Sequence, residues 1–331
     1  MSQEQKNNLH SWQPTAALHV LRKRAEIIDI IRQFFKERCV LEVDTPLLSS
    51  ATVTDPYVLS IPALCLDTGR EYLGYLQTSP EYAMKRLLAA GIGSIYQICK
   101  AFRQGDCGKL HHPEFTLLEW YRPGFDHHAL MDEMDILLQA IFTTPAAERL
   151  SYQQIFMQFV GIDPHVASVD DVMQCVRQHG IHFNSQTATD YNTGLDLLLT
   201  HCIGPQLGHD CPLFLYDFPI TQAALAKIRH AEIPPVASRF EVYFKGIELA
   251  NGFHELQDAK EQRKRFLQDL AYRKEHNIQQ VPLDEKLLAA LAAGLPDCAG
   301  VALGIDRLVM LALGKQSVAE VMSFAVKFSE K

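Results

Sequence analysis

Residues 114–123, EFTLLEWYRP, set two carboxylates, Glu114 and Glu119, in a run of aromatic and apolar residues bounded by Pro113 and Pro123. That composition predicts a strand, and alternate residues of a strand share a face. Phe115, Leu117, Glu119 and Tyr121 then line one side; Glu114, Thr116, Leu118 and Trp120 line the other. A ring followed by a carboxylate and a phenol can do chemistry. The ring can stack on a planar group, and the carboxylate and hydroxyl can hold a cation. The same alternation also suits a half-buried strand whose polar groups reach solvent, and the segment alone leaves both readings open.

The chain around it has 331 residues, 47% of them hydrophobic, with a net charge of −8 and a pI of 5.9. That length holds one large domain or two modest ones. Proteins that grip a phosphate backbone usually carry a basic excess, which the global balance here lacks. Eight cysteines are scattered without a Cys-x-x-Cys pair. Cys99, Cys107, His111 and His112 fit no common closed zinc spacing, so the thiols read as the reduced cysteines of a cytosolic protein. The N-terminal MSQEQKNNLHSW has no apolar signal core. The stretch VALGIDRLVMLALG contains an Asp-Arg pair and is too short to span a bilayer. A cytoplasmic chain with no membrane partner is expected.

The elements that must position the carboxylates follow from periodicity. Residues 15–38 carry Leu18, Leu21, Ile27, Ile28, Ile31, Phe34 and Phe35 at helical spacing, and Pro46 in VLEVDTPLL forces extended structure before it. Residues 79–90 predict a helix with Ser79 as N-cap and Pro80 at its first position. IYQICKAF and PEFTLLEWY predict an antiparallel pair around the polar loop 103–112. SRFEVYFKGIELANGFHEL returns to strand character, 258–275 form a charged helix, and DCAGVALGIDRLVMLALG is a glycine-punctuated strand and then a helix. Residues 127–235 mix helical stretches with polar connectors. Strands grouped around helices without regular βαβ alternation predict an α+β fold, an antiparallel sheet flanked by helices, as one domain over 1–331.

Phe102-Arg103, the strand after the loop, and GVALGIDRL (300–308), together with the helix–strand–Pro46 opening, resemble the three signature motifs of class II aminoacyl-tRNA synthetases. The resemblance runs from about residue 15 to the C-terminus. TSPEYAMKRLL, HPEFTLLEWY and GIELANGFHEL are similar to the lysine-activating pocket of lysyl-tRNA synthetases. The resemblance implies the class II catalytic fold and amino-acid adenylation with ATP and Mg2+. On it, Arg103 and Arg307 are the catalytic residues. Arg103 bridges the substrate carboxylate and the α-phosphate, and Arg307 lies over the adenine, opposite Phe115, or near the γ-phosphate. Gln104, Gly105, His112, Leu249 and Gly304 approach the nucleotide, His112 through the backbone around it. Glu241 and Glu248 are the magnesium carboxylates. Ser79, Pro80, Glu81, Glu119, Tyr121, Asn251, Glu255 and Ala302 surround the amino acid. Glu81, Glu119, Tyr121 and Glu255 form the diamine set, and Asn251 lies near the carboxylate. Two facing strands thus offer carboxylates to one cavity. Unpaired buried carboxylates are costly, so such a cavity favours a substrate with two ammonium groups.

The chain also departs from lysyl-tRNA synthetases. Its catalytic segment opens near residue 15, leaving no room ahead of it for an anticodon-binding OB-fold. Ala302 stands where those enzymes have Gly, and Ser79 where they commonly have Ala. The combination is similar to the elongation factor P–(R)-β-lysine ligase family, the truncated lysyl synthetase paralogues. That resemblance implies ATP-dependent activation of (R)-β-lysine, its transfer to a lysine side chain of elongation factor P, a homodimer through the first helix, and no tRNA acceptor. The loop reads Arg103-Gln104-Gly105-Asp106 where the family has Arg-x-Glu, and His112 replaces the usual Asn. Asp106 is then expected to stand in for the missing carboxylate if the loop shifts; otherwise ATP binding is weakened. A lysine-activating enzyme with a tRNA or small-molecule acceptor and a non-catalytic regulatory protein are the rival readings.

Overall fold

The computed structural model describes residues 12–182 and 190–326; the polar N-terminal stretch up to residue 11 lies outside them. Helix α1 (Leu18–Glu37) buries Val20, Ile27, Ile31, Phe34 and Phe35, the one-sided stripe its periodicity predicts. Cys39, in the left-handed region at φ 53°, turns the chain out of the helix. Short strands β1 (Leu41–Glu42) and β2 (Leu48–Ser49) follow, then the hairpin β3 (Pro62–Asp67) and β4 (Arg70–Leu76). Helix α2 (Glu81–Ala89) leads to β5 (Ile95–Phe102) and β6 (Glu114–Pro123), joined by the polar loop.

The middle of the chain, least legible in sequence, comprises α3 (His127–Phe142), β7 (Glu148–Ser151), α4 (Tyr152–Phe159), α5 (Val169–Gln178), α6 (Tyr191–Leu198), β8 (Leu213–Pro219) and β9 (Ile228–Arg229). The long hairpin β10 (Val236–Phe244) and β11 (Ile247–His254) precedes α7 (Ala259–Glu275), α8 (Glu285–Gly294), β12 (Cys298–Gly304) and α9 (Ile305–Ala312).

The large sheet runs β1-β5-β6-β12-β11-β10-β8-β7, with β9 beside β10. Its centre is antiparallel, as expected. Its two edges are not: β1 pairs β5, and β7 pairs β8, in parallel. The reason is connectivity, because both pairs are joined by long crossovers through helices rather than by hairpins. The alternation of β6 sorts its residues as the sequence predicts. Leu118 and Trp120 point into the core that the sheet shares with α1, α3 and α9, with Ile31, Phe35, Met134, Leu138 and Leu308. Each fully buried side chain of this kind contributes roughly 1.5–3 kcal/mol. On the opposite face Tyr121 packs with Met84, Leu88, Phe266 and Leu287 from α2, α7 and α8. Helices α4, α5 and α6 close a third cluster against the β8 side.

Two polar ties lock the core to the site. Arg24 of α1 lies 2.7 Å from Asp306 at the start of α9, and the same carboxylate accepts the Thr116 N–H of β6 at 2.7 Å. Arg273 of α7, almost wholly buried, donates to Thr54 O and Asp55 O at 2.7 Å each, pinning the loop before β3. That loop is stitched to the chain after β5, where Gln104 N–H donates to Leu59 O at 2.8 Å.

Candidate active site

Register builds the site. Glu119 on β6 stands opposite Ala302 on β12 and Gln97 on β5. Ala302 stands opposite Asn251 on β11, and Asn251 opposite Glu241 on β10. Two residues along, Ile95, Tyr121, Gly300, Phe253 and Arg239 make a second row on the same face. Directly opposed side chains in antiparallel pairs lie within reach of one another. Glu119, Ala302, Asn251 and Glu241 are thus set side by side on four neighbouring strands.

A cavity of about 20 Å³ is lined by Glu81, Glu119, Tyr121, Asn251, Phe253, Glu255, Gly300, Val301 and Ala302. That volume is roughly the room of one water, so a ligand the size of an amino acid must part these walls. A larger cavity of about 220 Å³ lies beside Tyr57 and α6, and none of the acidic set lines it.

Glu119 is buried and fully engaged. Tyr121 Oη donates to its Oε1 at 2.7 Å, and Ser79 Oγ donates to its Oε2 at 3.0 Å. The Ser79 oxygen also accepts the Glu81 N–H at 3.0 Å. The hydroxyl predicted as a helix cap therefore serves the helix start and the pocket together, while Pro80 takes the cap position itself. Lys85, one turn along α2, has its Nζ 2.6 Å from both Glu81 and Glu255. Among the described residues, neither Glu255 oxygen accepts a well-directed hydrogen bond.

Burial pushes Glu119 up to about 8, with the Glu81 charge adding to the rise. Burial likewise pushes Glu255 up to about 8, against the Lys85 ammonium and with the charges of Glu81 and Glu119. Below that pH the empty pocket keeps carboxyl protons, and a dication must displace them. Binding of a diamino acid at neutral pH should therefore release protons, and affinity should rise as pH approaches about 8. Calorimetric titrations in buffers of different ionisation enthalpy measure this. Proton uptake, or affinity falling over that range, contradicts it.

The nucleotide half is set by β5, β6 and the start of α9. Arg103 lies over the Phe115 ring at 5.0 Å, and its buried Nε has no hydrogen-bond partner among the described residues. Arg307 donates to Leu110 O at 3.1 Å and Glu248 O at 2.7 Å, and its third nitrogen meets His111 Nε2 at 2.7 Å. Against a guanidinium that nitrogen must accept, so His111 is neutral. Burial, and then the Arg307 charge, holds its pKa below the ordinary value. The face of Phe115 that was expected to meet adenine and Arg307 is thus approached by Arg103, while Arg307 clasps the loop.

The His112 ring bonds Glu114 O at 2.6 Å and accepts the Val326 N–H at 2.9 Å, which leaves the backbone around it to meet a nucleotide. Gly304 opens α9, and a Cβ there would meet only Leu249 O, at 3.8 Å. Gly105 has φ +88° in open space. A Glu at this position is therefore strained in this backbone, whatever room it has. The loop is built around the glycine, and Asp106 acts on His111 nearby.

Glu241 is buried. It accepts from Arg239 at 2.6 Å and Tyr243 at 2.9 Å, and burial raises it to about 7, with the neighbouring Glu248 charge raising it further against Arg239. Glu248 is half-exposed, 3.8 Å from Arg307. Two carboxylates that press on one another, each with lone pairs to spare, fit a divalent cation that also holds phosphates.

Sequence reading gave Arg239, Gly300 and His111 no role at this site, and weighed His111 only in a zinc spacing. Arg239 donates to Asn251 at 3.1 Å as well as to Glu241. Its signal was its place two residues before Glu241, on the same face. The signal of Gly300 was a glycine inside a strand, which marks close approach. No periodicity marks His111.

As the resemblance to class II synthetases implies, the large sheet carries two arginines at the site, one beside the β5–β6 loop and one in the first turn of the helix after β12. The family model described as tRNA synthetases class II (D, K and N) matches residues 2–327. Relatives named elongation factor P–(R)-β-lysine ligase match nearly end to end. The one from Vibrio atlanticus (strain LGP32) is 51% identical over 319 residues, 96% of this chain and 98% of the relative. That from Vibrio cholerae serotype O1 is 51% identical over 315 residues, 95% of this chain and 97% of the relative. That from Salmonella gallinarum is 51% identical over 319 residues, 96% and 98% respectively. The chain belongs to this family of class II synthetase-like, ATP-dependent ligases.

Proposed function

We propose that the chain activates (R)-β-lysine with ATP and transfers it to a lysine side chain of elongation factor P. The observation that carries this reading is the row Glu119–Ala302–Asn251, walled by Glu81 and Glu255 in one cavity. Such an arrangement places anions for two ammonium groups around a floor narrowed by a methyl. The substrate carboxylate oxygen attacks the α-phosphorus, the bond to the bridging oxygen breaks, and pyrophosphate leaves. The acceptor amine then attacks the carbonyl carbon, AMP leaves, and the amine gives up its proton. The free Nε of Arg103 is a donor for the oxygens between carboxylate and phosphate. Glu241 and Glu248 would hold Mg2+, which supplies charge relief at the phosphates.

The test is a mixture of the chain, ATP, (R)-β-lysine and elongation factor P, read by peptide mass spectrometry. A single lysine of the factor should gain one β-lysyl group, faster than it gains α-lysyl. No modification by either amino acid overturns the reading, and equal charging of a tRNA would move it to the rival acceptor.

Ala302 is the proposed selector. One methyl in a tight pocket discriminates by about 1–3 kcal/mol. Ala302→Gly should therefore move the kcat/KM ratio toward α-lysine by roughly ten-fold or more. A ratio that does not move removes Ala302 from that role.

The reading takes 1–331 as one catalytic domain and a protein lysine, rather than a tRNA, as the acceptor. It places the protein in the cytoplasm, supported by eight free cysteines. Among the described residues no helix is long and apolar enough to cross a membrane.

A homodimer is supported by the small sheet β2-β4-β3, which follows closely on α1. Leu64 and Leu66 alternate on β3, and Leu73 stands opposite Leu64 on β4, so the three share a face. All are more than half exposed, an apolar patch of the kind that marks an interface. Light scattering at micromolar concentration should give twice the chain mass, and Leu64→Asp with Leu73→Asp should give the chain mass. A monomeric parent contradicts the dimer.

A further inference from the structure

Lys85 lies behind the pocket wall. It does not line the cavity, yet it is 2% exposed and its ammonium sits 2.6 Å from a carboxylate oxygen of each of two residues that do, Glu81 and Glu255. A lysine this deeply buried is rare unless paired, and here one cation meets two anions. Three carboxylates reach the cavity: Glu81 from α2, Glu119 from β6 and Glu255 just beyond β11. With all three ionised and Lys85 charged, the wall carries a net −2, from three negative charges and one positive.

We infer that Lys85 is a positioning residue that sets the charge of the pocket, leaving two negative charges to match a substrate with two ammonium groups, and that bridges Glu81 and Glu255 so that both carboxylates can stay ionised. The inference rests on reading the cleft as the diamino-acid pocket. Glu81 on α2 and Glu255 just beyond β11 are joined by no other ionic contact at this point among the described residues. Without the ammonium, two buried like charges face each other, and at least one keeps its proton. The charge on Lys85 is itself secured: burial opposes it, but Glu255 and Glu81 more than restore it, and its pKa lies above the ordinary lysine value. Tyr82 on α2, Tyr121 on β6 and Cys298 on β12 also feel the charges of the cluster, and burial raises all three, so they stay neutral at neutral pH.

Lys85→Met keeps the stem and removes the charge. Each unit by which a carboxyl that must ionise is raised costs about ten-fold in apparent affinity at neutral pH. The variant should therefore raise KM for (R)-β-lysine in pyrophosphate exchange by roughly ten-fold or more at pH 7, with kcat changed much less. The gap to the parent should close as pH rises. Glu81→Gln should cost less in the Lys85→Met background than in the parent, because it restores the net −2.

An unchanged KM, a rise independent of pH, or strictly additive effects in that cycle would each overturn the inference. Should Lys85→Met fail to fold, Lys85→Met/Glu81→Gln carries the test. Folding of this variant, with measurable exchange, supports charge matching, and failure to fold assigns Lys85 a purely structural role. A parent that exchanges with neither lysine isomer refutes the proposed function instead, which keeps the two failures apart.

Discussion

Arg103→Ala lowers the rate of pyrophosphate exchange by about 10²–10³-fold, the usual cost of removing one preorganised donor from developing charge. The arginine directly follows β5, its backbone N–H is fixed to Pro113 O at 2.9 Å, and its guanidinium lies over Phe115. Its side chain is therefore held before any substrate arrives, and its buried Nε is without a partner among the described residues. A donor kept dry and unpaired is expensive unless something accepts from it during function. The loss should fall on kcat, with thermal stability little changed or improved. Arg103→Lys should recover only part of the activity, since a point charge does not reproduce the planar fork. Full exchange by Arg103→Ala would mean that the phosphates lie elsewhere.

Gly300→Ala closes the amino-acid pocket. A Cβ there would collide with the Tyr121 ring and stand 2.7 Å from Glu255 Oε1. Both neighbours are buried, so neither can swing into solvent. Overpacking of this kind costs about 1–3 kcal/mol of stability. The displaced phenol and carboxylate should cost roughly 10²-fold in kcat/KM for the amino acid, the scale of an ångström misplacement. Gly304→Ala is the control, because its Cβ would meet only Leu249 O at 3.8 Å. That variant should fold like the parent and, if the nucleotide passes close to Gly304, raise KM for ATP alone. A Gly300→Ala protein with parental kcat/KM would show that Tyr121 and Glu255 do not form the pocket.

The legible parts of the site were those fixed by strand alternation. Glu119 with Tyr121, and Asn251 with Phe253 and Glu255, fall on one face because a strand has period two, and the sheet then sets them side by side. Helix α1 was equally plain from its stripe. What stayed hidden depends on contacts between distant segments. Lys85 reads as an ordinary surface lysine on a helix until β11 delivers Glu255 beside it. The grip of Arg307 on Leu110 O and His111 joins positions nearly two hundred residues apart. Gly105 shows why a motif match and its structure must be read together. The missing Glu looked like a vacancy for Asp106 to fill, but the left-handed backbone there favours the glycine itself. The parallel edges of the sheet were hidden for a related reason, since pairing direction depends on how a long connection returns.

Pyrophosphate exchange with (R)-β-lysine, α-lysine and an isosteric amino acid lacking the distal amine tests the central claim most directly. The account predicts ATP-dependent exchange that is fastest with (R)-β-lysine, slower with α-lysine, and lost with the monoamine, because one ammonium cannot match the net −2 of the pocket and buried Glu119 is then left without a cation. Comparable exchange with the monoamine would contradict a pocket built for two ammonium groups.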